Sequence, residues 1–543
     1  MKLYISLLLS VALQAGCNKQ LEEYNPSGLT TDQVFSTPEG FETLVSAAYS
    51  YNRWWYGKEE GYSISEMGTD LWTSGTGDKY INLTQYYNLQ ADNAAISNLW
   101  RQLYSAVNLC NTGIGRIDKA GFPDDKKVIR NAELHFLRAF YYWHIVEMWG
   151  GVHFTVAETS GVETTANRTS TDTFYAQIFS DLQVAVNNLP PATGDYGRAT
   201  KAVAQAFLAR MCLTRGMNAR AAVLADSVIN SYGFVLQPKY TDLWSMSNLQ
   251  NKEVVWAVNY MKNLVFNDRT DPSLYPAGHP RGAHNGHLMF GMKYDDLPGM
   301  TRDVLNGRPF NRYMPTLFLL NLFNENADSR YNASFKQVWL CNSLAKAPAG
   351  MKLGDTAVIC SKYIVADTAG KKYRVYDRNV SYNPDEGGKD RTHYVSLLKF
   401  DDPTRPGRDE EQSARDAFII RLAEMYLIAA EAEFNLGNSS KAAEYINVIR
   451  KRAAVPGHEA EMEITDANIS LDFILDERAR ELAGEQLRWF DLKRTGKLGE
   501  RIAKYNPDAA KNFQPFHVLR PIPQDQIDAV TNKSEFKQNP NYQ

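Results

Sequence analysis

The stretch TKAVAQAFLARMCLTRGMNARAAVLADSVINS, residues 200–231, predicts two helices joined by a tight turn, and residues 417–453 repeat the pattern. Each pair has a glycine at its turn and two adjacent alanines after a further four residues: Gly216 with Ala221-Ala222, and Gly437 with Ala442-Ala443. Glycine ends a helix in a left-handed conformation, and alanine lets the next helix pack closely. The pattern is typical of tetratricopeptide-like repeats, although any tight helical hairpin would also satisfy it.

Five further segments carry helical signals. They are residues 38–51, 93–117, 131–149, 174–189 and 471–494. Between residues 232 and 416 the helical periodicity fades, and Gly, Pro, Asn, Asp and Tyr become frequent. Because this stretch is too long for a plain loop in a compact domain, we interpret it as a functional face. We therefore predict a mainly α fold, with helical repeats at about 39–231 and 417–500 and a large, irregular, loop-rich insertion at about 232–416.

The composition is that of a folded protein without surplus positive charge. Hydrophobic residues make up 44% and charged residues 22% of the 543 residues, which is enough apolar side chain to bury a large core. The 59 Lys and Arg are balanced by 62 Asp and Glu, so the formal net charge is −3. Since nucleic-acid backbones are bound by an excess of Lys and Arg, this balance argues against a nucleic-acid partner.

The N-terminus predicts export and lipid attachment. Lys2 precedes an apolar run at residues 3–13, and Ala15-Gly16 then leads to Cys17. A short apolar run that ends in small residues is typical of a secretory signal and is too short to span a bilayer. A cysteine directly after Ala-Gly resembles a bacterial lipoprotein processing site, although Gln14 stands where such sites usually carry Leu. We predict that Cys17 is lipidated.

Cleavage before Cys17 would divide the chain into three parts. These are a signal peptide at 1–16, a lipidated tether at 17–38 and a folded domain at 39–543. The alternative is an ordinary signal peptide followed by an incidental cysteine. Of the other cysteines, Cys110 and Cys212 lie in predicted helices and are expected to be buried thiols, whereas Cys341 and Cys360 could pair or remain free.

Seven groups of residues follow one another along the chain. They are LEE (21–23) with Pro26 after Cys17; FLRAFYY (136–142) with WGG (149–151); GRATK (197–201); RLAEMYL (421–427) with AEA (430–432); INVIR (446–450); ERAREL (477–482) with RWFDLKR (488–494); and PIP (521–523) with QNP (538–540). In these motifs and in their order, the chain resembles the SusD/RagB family of outer-membrane nutrient-binding lipoproteins of Bacteroidetes. The resemblance covers nearly the whole chain.

This resemblance implies a helical fold with four tetratricopeptide-like units that binds glycans or peptide-derived nutrients. It also implies a position on the cell surface at the bacterial outer membrane, held by the lipid on Cys17. Members of the family dock as a lid on a SusC-like TonB-dependent transporter, which is therefore the expected protein partner. The best-known members bind polysaccharides without cleaving them, so the resemblance predicts neither enzymatic activity nor a cofactor.

Seven charged residues crowd one segment near the C-terminus. They are Glu477, Arg478, Arg480, Glu481, Arg488, Asp491 and Arg494. Two carboxylates in such a segment could form a glycosidase site. However, arginines match these carboxylates, and ion pairs at three- and four-residue spacing stabilise helices without any catalytic role. We expect this segment to lock the last helices onto the repeats.

Two segments carry residue types that can bind metals. His279, His284 and His287 precede the pair Asp295-Asp296, and residues 385–388 are DEGG. Zinc sites favour tighter spacing such as His-Glu-x-x-His, and calcium sites use a longer loop with spaced ligands; neither pattern occurs here. We therefore predict no metal site, and expect the imidazoles to bond a ligand or their own loop.

Aromatic residues outside the helical segments are candidates for sugar binding. A flat aromatic ring accepts the C–H face of a sugar, and Asn, Asp, Arg or His bond its hydroxyls. The candidates are Trp54, Trp55, Asp70 and Trp72 near the N-terminus and Tyr275, His284, Phe290 and Tyr294 in the insertion. Since Trp72 lies among turn-forming residues, we predict an exposed loop that converges with the insertion. Packing in the core is the alternative for each residue.

Three functions remain open from the sequence alone. The first is a lipid-anchored surface protein that binds oligosaccharides or polysaccharides and delivers them to the transporter. The second is a repeat scaffold that assembles an uptake complex and has little ligand affinity of its own, and a binder of peptide-derived nutrients is a variant of the first. The third is a surface hydrolase, which would need two facing carboxylates without cationic partners.

Overall fold

The computed structural model describes residues 31–159, 161–263, 283–382 and 390–542. Helices account for about half of these residues, and most of the long helices pack around a large apolar core. The helices are α1 Thr31–Phe35, α2 Pro38–Ser50, α3 Glu59–Ser65, α4 Ile81–Gln85, α5 Ala94–Arg116, α6 Asp124–Trp149, α7 Thr171–Asn188, α8 Lys201–Thr214, α9 Asn218–Ser231, α10 Tyr240–Leu243, α11 Gly286–Met289, α12 Leu317–Asn321, α13 Arg330–Ser334, α14 Leu422–Asn435, α15 Ser439–Ala453, α16 Glu459–Met462, α17 Leu471–Leu482, α18 Arg488–Arg494, α19 Leu498–Tyr505, α20 Pro507–Ala510 and α21 Gln524–Ala529. The predicted mainly α fold is confirmed.

The strands are short and form four small sheets within the described ranges. They are β1 Trp72–Ser74, β2 Val254–Val258, β3 Tyr313–Pro315, β4 Phe335–Lys336, β5 Val338–Leu340, β6 Thr356–Cys360, β7 Arg374–Tyr376, β8 Ser396–Leu397 and β9 Ala417–Arg421. Antiparallel pairs join β1 to β3, β2 to β9 and β4 to β8. The fourth sheet has the order β5-β6-β7, with β5-β6 antiparallel and β6-β7 parallel.

Side-chain caps explain where several long helices begin. Thr37, Asn93, Ser170 and Thr200 each accept a hydrogen bond from a backbone N–H in the first turn of the helix that follows. These oxygens satisfy donors that have no partner inside the helix. The helix predicted at 131–149 begins earlier, at Asp124. The prediction missed its first two turns because they are mostly charged and half-buried or exposed, so they show little apolar periodicity.

Both predicted helical hairpins are present. Gly216 has φ 70° between α8 and α9, and Gly437 has φ 85° between α14 and α15, so each glycine adopts the left-handed conformation at its turn. Helix α9 packs on α14, which in turn packs on α15. The predicted start of the second hairpin is wrong, however. Residues 417–421 form β9, whose five residues are all buried against β2 and the core.

The helix predicted at 471–494 is divided in two. Helix α17 ends at Leu482 and α18 begins at Arg488, with Gly484 at φ 83° between them. A Cβ on Gly484 would lie 3.0 Å from a Leu397 side-chain carbon, so the turn also brings the backbone close to β8. The glycine therefore sets both the turn and the close approach.

The insertion has an apolar core of its own. Its short elements surround a second cluster of buried side chains that includes Trp72, Phe290, Tyr313, Trp339 and Tyr394. Thus much of the segment between residues 232 and 416 is folded around aromatic side chains. Several ring pairs in this cluster meet edge to face, as in the pair Trp72–Phe290, whose centroids lie 4.7 Å apart.

A buried network of ion pairs joins the last helices to the rest of the fold. Arg330 contacts Glu477 at 2.8 Å and Glu481 at 3.0 Å, and Arg421 contacts Glu253 at 2.6 Å and Glu481 at 3.2 Å. Burial alone would raise the pKa of Glu477, but Arg330, Arg480 and Arg450 lower it to about 2. These carboxylates are matched by cations, so the predicted locking role of the segment is confirmed.

The C-terminal segment closes against the end of α6. Trp149 donates from Nε1 to the backbone oxygen of Pro521 at 3.0 Å. The Nδ2 group of Asn539 donates to the backbone oxygens of Trp149 and Arg520, at 3.1 and 2.8 Å. The WGG, PIP and QNP motifs thus meet in one place, although nearly 400 residues separate Trp149 from Asn539.

Cys341 and Cys360 are free, buried thiols. In the antiparallel β5-β6 pair, the N–H of Cys341 bonds to Asp355, whereas the N–H of Cys360 bonds to Gln337. The two cysteines therefore lie at opposite ends of the strand pair, where their side chains cannot meet. Cys110 and Cys212 are buried in α5 and α8, as predicted.

None of the described helices combines the length and the apolar composition that crossing a membrane requires.

Candidate functional site

A cleft of about 330 Å³ lies where the end of α2, the loop before α8 and the end of β2 meet. Its floor and walls carry hydroxyl, amide, guanidinium and aromatic groups. The lining residues are Ser46, Tyr49, Ser50, Asn52, Arg53, Tyr196, Gly197, Arg198, Ala257, Val258 and Asn259.

The backbone turn after α2 separates the core side chains from the cleft side chains. Residues Tyr51–Trp54 form a single 3₁₀ turn, in which Asn52 and Trp54 are buried and Arg53 is half-buried. Because side chains at successive positions of such a turn point in different directions, Trp54 enters the core while Arg53 reaches the cleft. Gly197, in the opposite wall, has φ 90°, a conformation that favours glycine.

Tyr49 and Arg198 are held in place by a set of ion pairs below the cleft. Glu133 accepts from the Tyr49 hydroxyl at 3.1 Å and pairs with Arg198 at 3.2 Å. Arg198 also pairs with Glu42, and its guanidinium lies 5.7 Å from the centre of the Tyr49 ring. The Tyr49 hydroxyl in turn accepts from the N–H of Ala199 at 2.9 Å. This wall is therefore rigid before any ligand arrives.

The opposite wall is organised around Asp416. Its Oδ1 accepts from Asn259 Nδ2 at 3.1 Å and from the N–H of Tyr260 at 3.0 Å. Burial raises the pKa of the Asp416 carboxyl to about 6, although the hydrogen bond from the N–H of Tyr260 lowers it. Arg53 donates to the backbone oxygen of Asn259 at 2.8 Å and lies over the Tyr260 ring.

The remaining groups of the cleft can contact a ligand. The Tyr196 side chain is exposed, so its ring can accept an apolar face from solution. The Oδ1 of Asn52 is buried and has no hydrogen-bond partner among the described residues. An aromatic face together with amide and guanidinium groups suits a ligand that combines a C–H face with hydroxyls.

The aromatic residues predicted as a binding platform are buried. Seven of the predicted site residues are less than 5% exposed: Trp54, Trp55, Asp70, Trp72, His284, Phe290 and Tyr294. The predicted exposed loop at Trp72 is wrong, since β1 pairs with β3 and buries that side chain. The predicted convergence of the two stretches does occur, because Trp72 contacts Phe290, but they meet inside the core.

The polar candidates have structural partners. Asp70 accepts from Arg488 Nη2 at 2.6 Å and from Arg501 Nε at 2.7 Å, so it joins α18 and α19 to the segment before β1. His284 is packed against Gly57, and burial holds the pKa of its imidazole well below the usual range. The Tyr294 hydroxyl donates to the backbone oxygen of Gly307 at 2.6 Å. None of these groups lines the cleft.

The described residues do not include two predicted residues, Cys17 and Tyr275, or three of the residues weighed as metal ligands, His279, Asp385 and Glu386. Of the metal candidates that are described, His287 is buried and Asp295 pairs with Lys293 and Arg302. Within the four described ranges, no three His, Cys, Asp or Glu side chains are grouped so as to hold a metal ion.

The residues of the cleft were not predicted from the sequence, although two short segments that line it stand out there. Gly197-Arg198 belongs to the GRATK motif, and Asn52-Arg53 immediately precedes the predicted Trp54. Neither signal identifies a cleft, since the two segments are about 145 residues apart and come together only when the chain folds, where Arg198 contacts Glu133 of α6.

Comparison with known proteins matches nearly the whole chain. The SusD family model matches residues 252–542, and a model described as starch-binding associating with outer membrane matches residues 21–213. A SusD-like protein of Formosa agariphila is 26% identical over 96% of this chain and 95% of its own length. The starch-binding protein SusD of Bacteroides thetaiotaomicron is 24% identical over 69% of this chain and 66% of its own.

A similar fold occurs in solved structures. The surface glycan-binding protein A of Bacteroides thetaiotaomicron, in complex with laminarihexaose, has a TM-score of 0.68 at 21% identity and covers 93% of this chain and 99% of its own. At this sequence identity, the structural similarity is evidence for a shared fold alone. The family model, however, covers more than half of the chain. This chain therefore belongs to the SusD family.

Proposed function

We propose that this protein is a lipid-anchored glycan-binding protein of the bacterial cell surface, which delivers oligosaccharides to a SusC-like TonB-dependent transporter. The observation that carries the proposal is membership of the SusD family, with a further match over residues 21–213 to a model described as starch-binding associating with outer membrane. The lipid anchor is Cys17, and binding requires neither catalysis nor a cofactor.

The chemistry of the cleft supports a sugar ligand. The exposed Tyr196 ring offers a flat apolar surface, while Asn52, Arg53 and Asn259 offer amide and guanidinium groups. Tyr49 and Arg198 are already fixed by Glu133, so little conformational entropy is lost there on binding. The ligand-facing groups are thus an exposed ring, whose hydroxyl donates to the backbone oxygen of Leu249 at 3.5 Å, beside polar groups held by ion pairs.

The test is a binding screen of the purified chain against plant, host and microbial polysaccharides, with peptides as a separate arm. For the polysaccharide that binds, we expect Tyr196→Ala to weaken affinity about ten-fold in calorimetry, since one stacking ring contributes roughly 1–2 kcal/mol. The thermal midpoint should change only slightly, because the ring is partly exposed and the hydrogen bond from its hydroxyl to Leu249 is long, at 3.5 Å.

Tyr363→Ala is the matched control, because Tyr363 is also exposed but does not line the cleft. Equal affinities for Tyr196→Ala and the parent would remove this cleft from the proposal. No binding to any polysaccharide would favour the assembly scaffold, and binding to peptides alone would favour a peptide-derived nutrient. In cells, delivery predicts slower uptake of a labelled oligosaccharide by the Tyr196→Ala strain at low concentration.

A further inference from the structure

The outer face of the β5-β6-β7 sheet is apolar and exposed. In β5, Val338 and Leu340 are 44% and 52% exposed, whereas Trp339 between them points into the core. Val338 lies opposite Ile359, and Ile359 lies opposite Val375, so these three side chains form a row across the same face. Patches of this kind on a soluble surface mark a contact with a partner or a membrane.

Further apolar side chains extend beyond the ends of this sheet. Leu344 and Leu353 lie in the connection between β5 and β6, and Ile364 follows β6; each is more than half exposed. Exposed apolar side chains are unfavourable in water, and a partner that covers them lowers the free energy of the system. We call the sheet face and these turns the sheet patch.

Cationic side chains are frequent in the segment that carries the sheet patch. Residues 337–382 contain seven Lys and Arg and three Asp, a formal charge of 7 − 3 = +4, in a chain whose net charge is −3. Six of the cations are exposed, and among the described residues none of the six forms an ion pair: Lys346, Lys352, Lys371, Lys372, Arg374 and Arg378. The charge is therefore available to an anionic partner.

The chemistry of the sheet patch selects one kind of occupant. Four of the six cations are Lys, which is depleted in protein–protein interfaces. The apolar side chains that define the patch are aliphatic and do not offer the flat ring that a sugar stacks on. The neighbouring Tyr363 is exposed, but it is a single ring, and its hydroxyl already donates to Glu325 at 2.9 Å. A lipid surface accepts both features, because aliphatic side chains enter the boundary of the acyl chains while Lys and Arg contact the phosphates.

We propose that the sheet patch docks this protein on an anionic, phosphate-bearing lipid surface. The contact supplements the lipid on Cys17, which would hold the domain close to the membrane and raise the effective concentration of the patch there. Docking through the sheet patch is independent of the glycan cleft, since no residue of the patch lines that cleft.

The test uses the soluble chain of residues 18–543, which keeps every described residue, in flotation with vesicles. We expect at least ten-fold tighter binding to vesicles of phosphatidylcholine and phosphatidylglycerol (7:3) than to pure phosphatidylcholine, and a loss of binding in high salt. The triple variant Lys371→Gln, Lys372→Gln, Arg374→Gln should lose about five-fold in affinity for each cation removed. Leu353→Ser should weaken binding without changing the salt dependence.

The triple variant Lys239→Gln, Lys511→Gln, Lys537→Gln is the matched control, because it removes the same charge from exposed positions elsewhere and should bind like the parent. Equal binding to both vesicles, or full binding by the first triple variant, would overturn the proposal. Binding of polygalacturonate in place of vesicles, with the same dependence on the three cations, would reassign the patch to an acidic glycan. The first triple variant should keep its affinity for the glycan of the cleft.

Discussion

Asp70 has a structural role that its position beside Trp72 in the sequence did not reveal. Its carboxylate is fully buried and accepts from both Arg488 and Arg501. Burial would raise the pKa of Asp70, but the two guanidinium groups bring it below the usual range. A buried carboxylate between two cations cannot be removed without leaving their charges uncompensated in the core.

We therefore expect Asp70→Asn to lower the free energy of unfolding by about 3–5 kcal/mol, as measured by urea denaturation. Asp528→Asn is the control, because Asp528 pairs with Lys533 at the surface and its loss should have no measurable effect. A stable Asp70→Asn protein with weakened glycan affinity would return Asp70 to the ligand-binding residues.

Cys17 carries the prediction of a lipid anchor. A multiply acylated cysteine gives stable attachment, whereas one chain gives only marginal attachment. We expect Cys17→Ala to release the protein from the membrane fraction in cells that lack the transporter, as judged by fractionation and by protease treatment of intact cells. Gln14→Leu should leave attachment intact, because Leu is the usual residue there. Membrane retention of Cys17→Ala in such cells would contradict the prediction.

At the scale of elements, helix α15 tests the packing of the hairpins. Ala442 is fully buried on this helix, which packs on α14, while Val448 on the same helix is exposed. We expect Ala442→Phe to lower the free energy of unfolding by about 1–3 kcal/mol, because a larger side chain overfills a close crossing. Val448→Phe should change it by less than about 0.5 kcal/mol in the same denaturation experiment. Equal effects of the two would argue against a close crossing at Ala442.

At the scale of the whole molecule, the stability of the fold depends on pH through buried carboxylates, some with a raised pKa and others with a lowered pKa. Burial raises the pKa of Glu66 to about 7, although it accepts from the N–H groups of Leu487 and Arg488. The arginines around Glu477 outweigh burial and lower its pKa to about 2. The ordinary pKa of a Glu side chain is 4.5, so the pKa of Glu66 lies above this value and the pKa of Glu477 lies below it.

The sign of each contribution follows from linkage. The contribution of Glu477 is present above about pH 4.5 and is lost as pH falls towards 2, whereas that of Glu66 is present below about 4.5 and is lost as pH rises through 7. In urea unfolding from pH 3 to 8, we expect Glu66→Gln to flatten the curve between pH 4.5 and 7 and Glu477→Gln to flatten it below 4.5. Unchanged slopes in both variants would contradict this assignment.

The sequence alone determined the elements whose information is local. Gly216 and Gly437 with their following alanines specify two helical hairpins, since a turn and a small-residue crossing depend on residues close in the chain. The ordered motifs identified the family for the same reason, because each motif is contiguous. The balance of Arg with Glu and Asp at 477–494 also predicted its structural role, which the ion pairs confirm.

Only the tertiary structure decided which side chains are buried and where a cleft forms. Trp72 is buried because β3 and Phe290, more than 200 residues away, cover it, and β9 is a strand because β2 pairs with it across about 160 residues. The cleft likewise joins Asn52, Tyr196 and Asn259 from three separate segments. Local periodicity reports the conformation of a segment, whereas burial and clefts depend on contacts between segments that the order of residues does not encode locally.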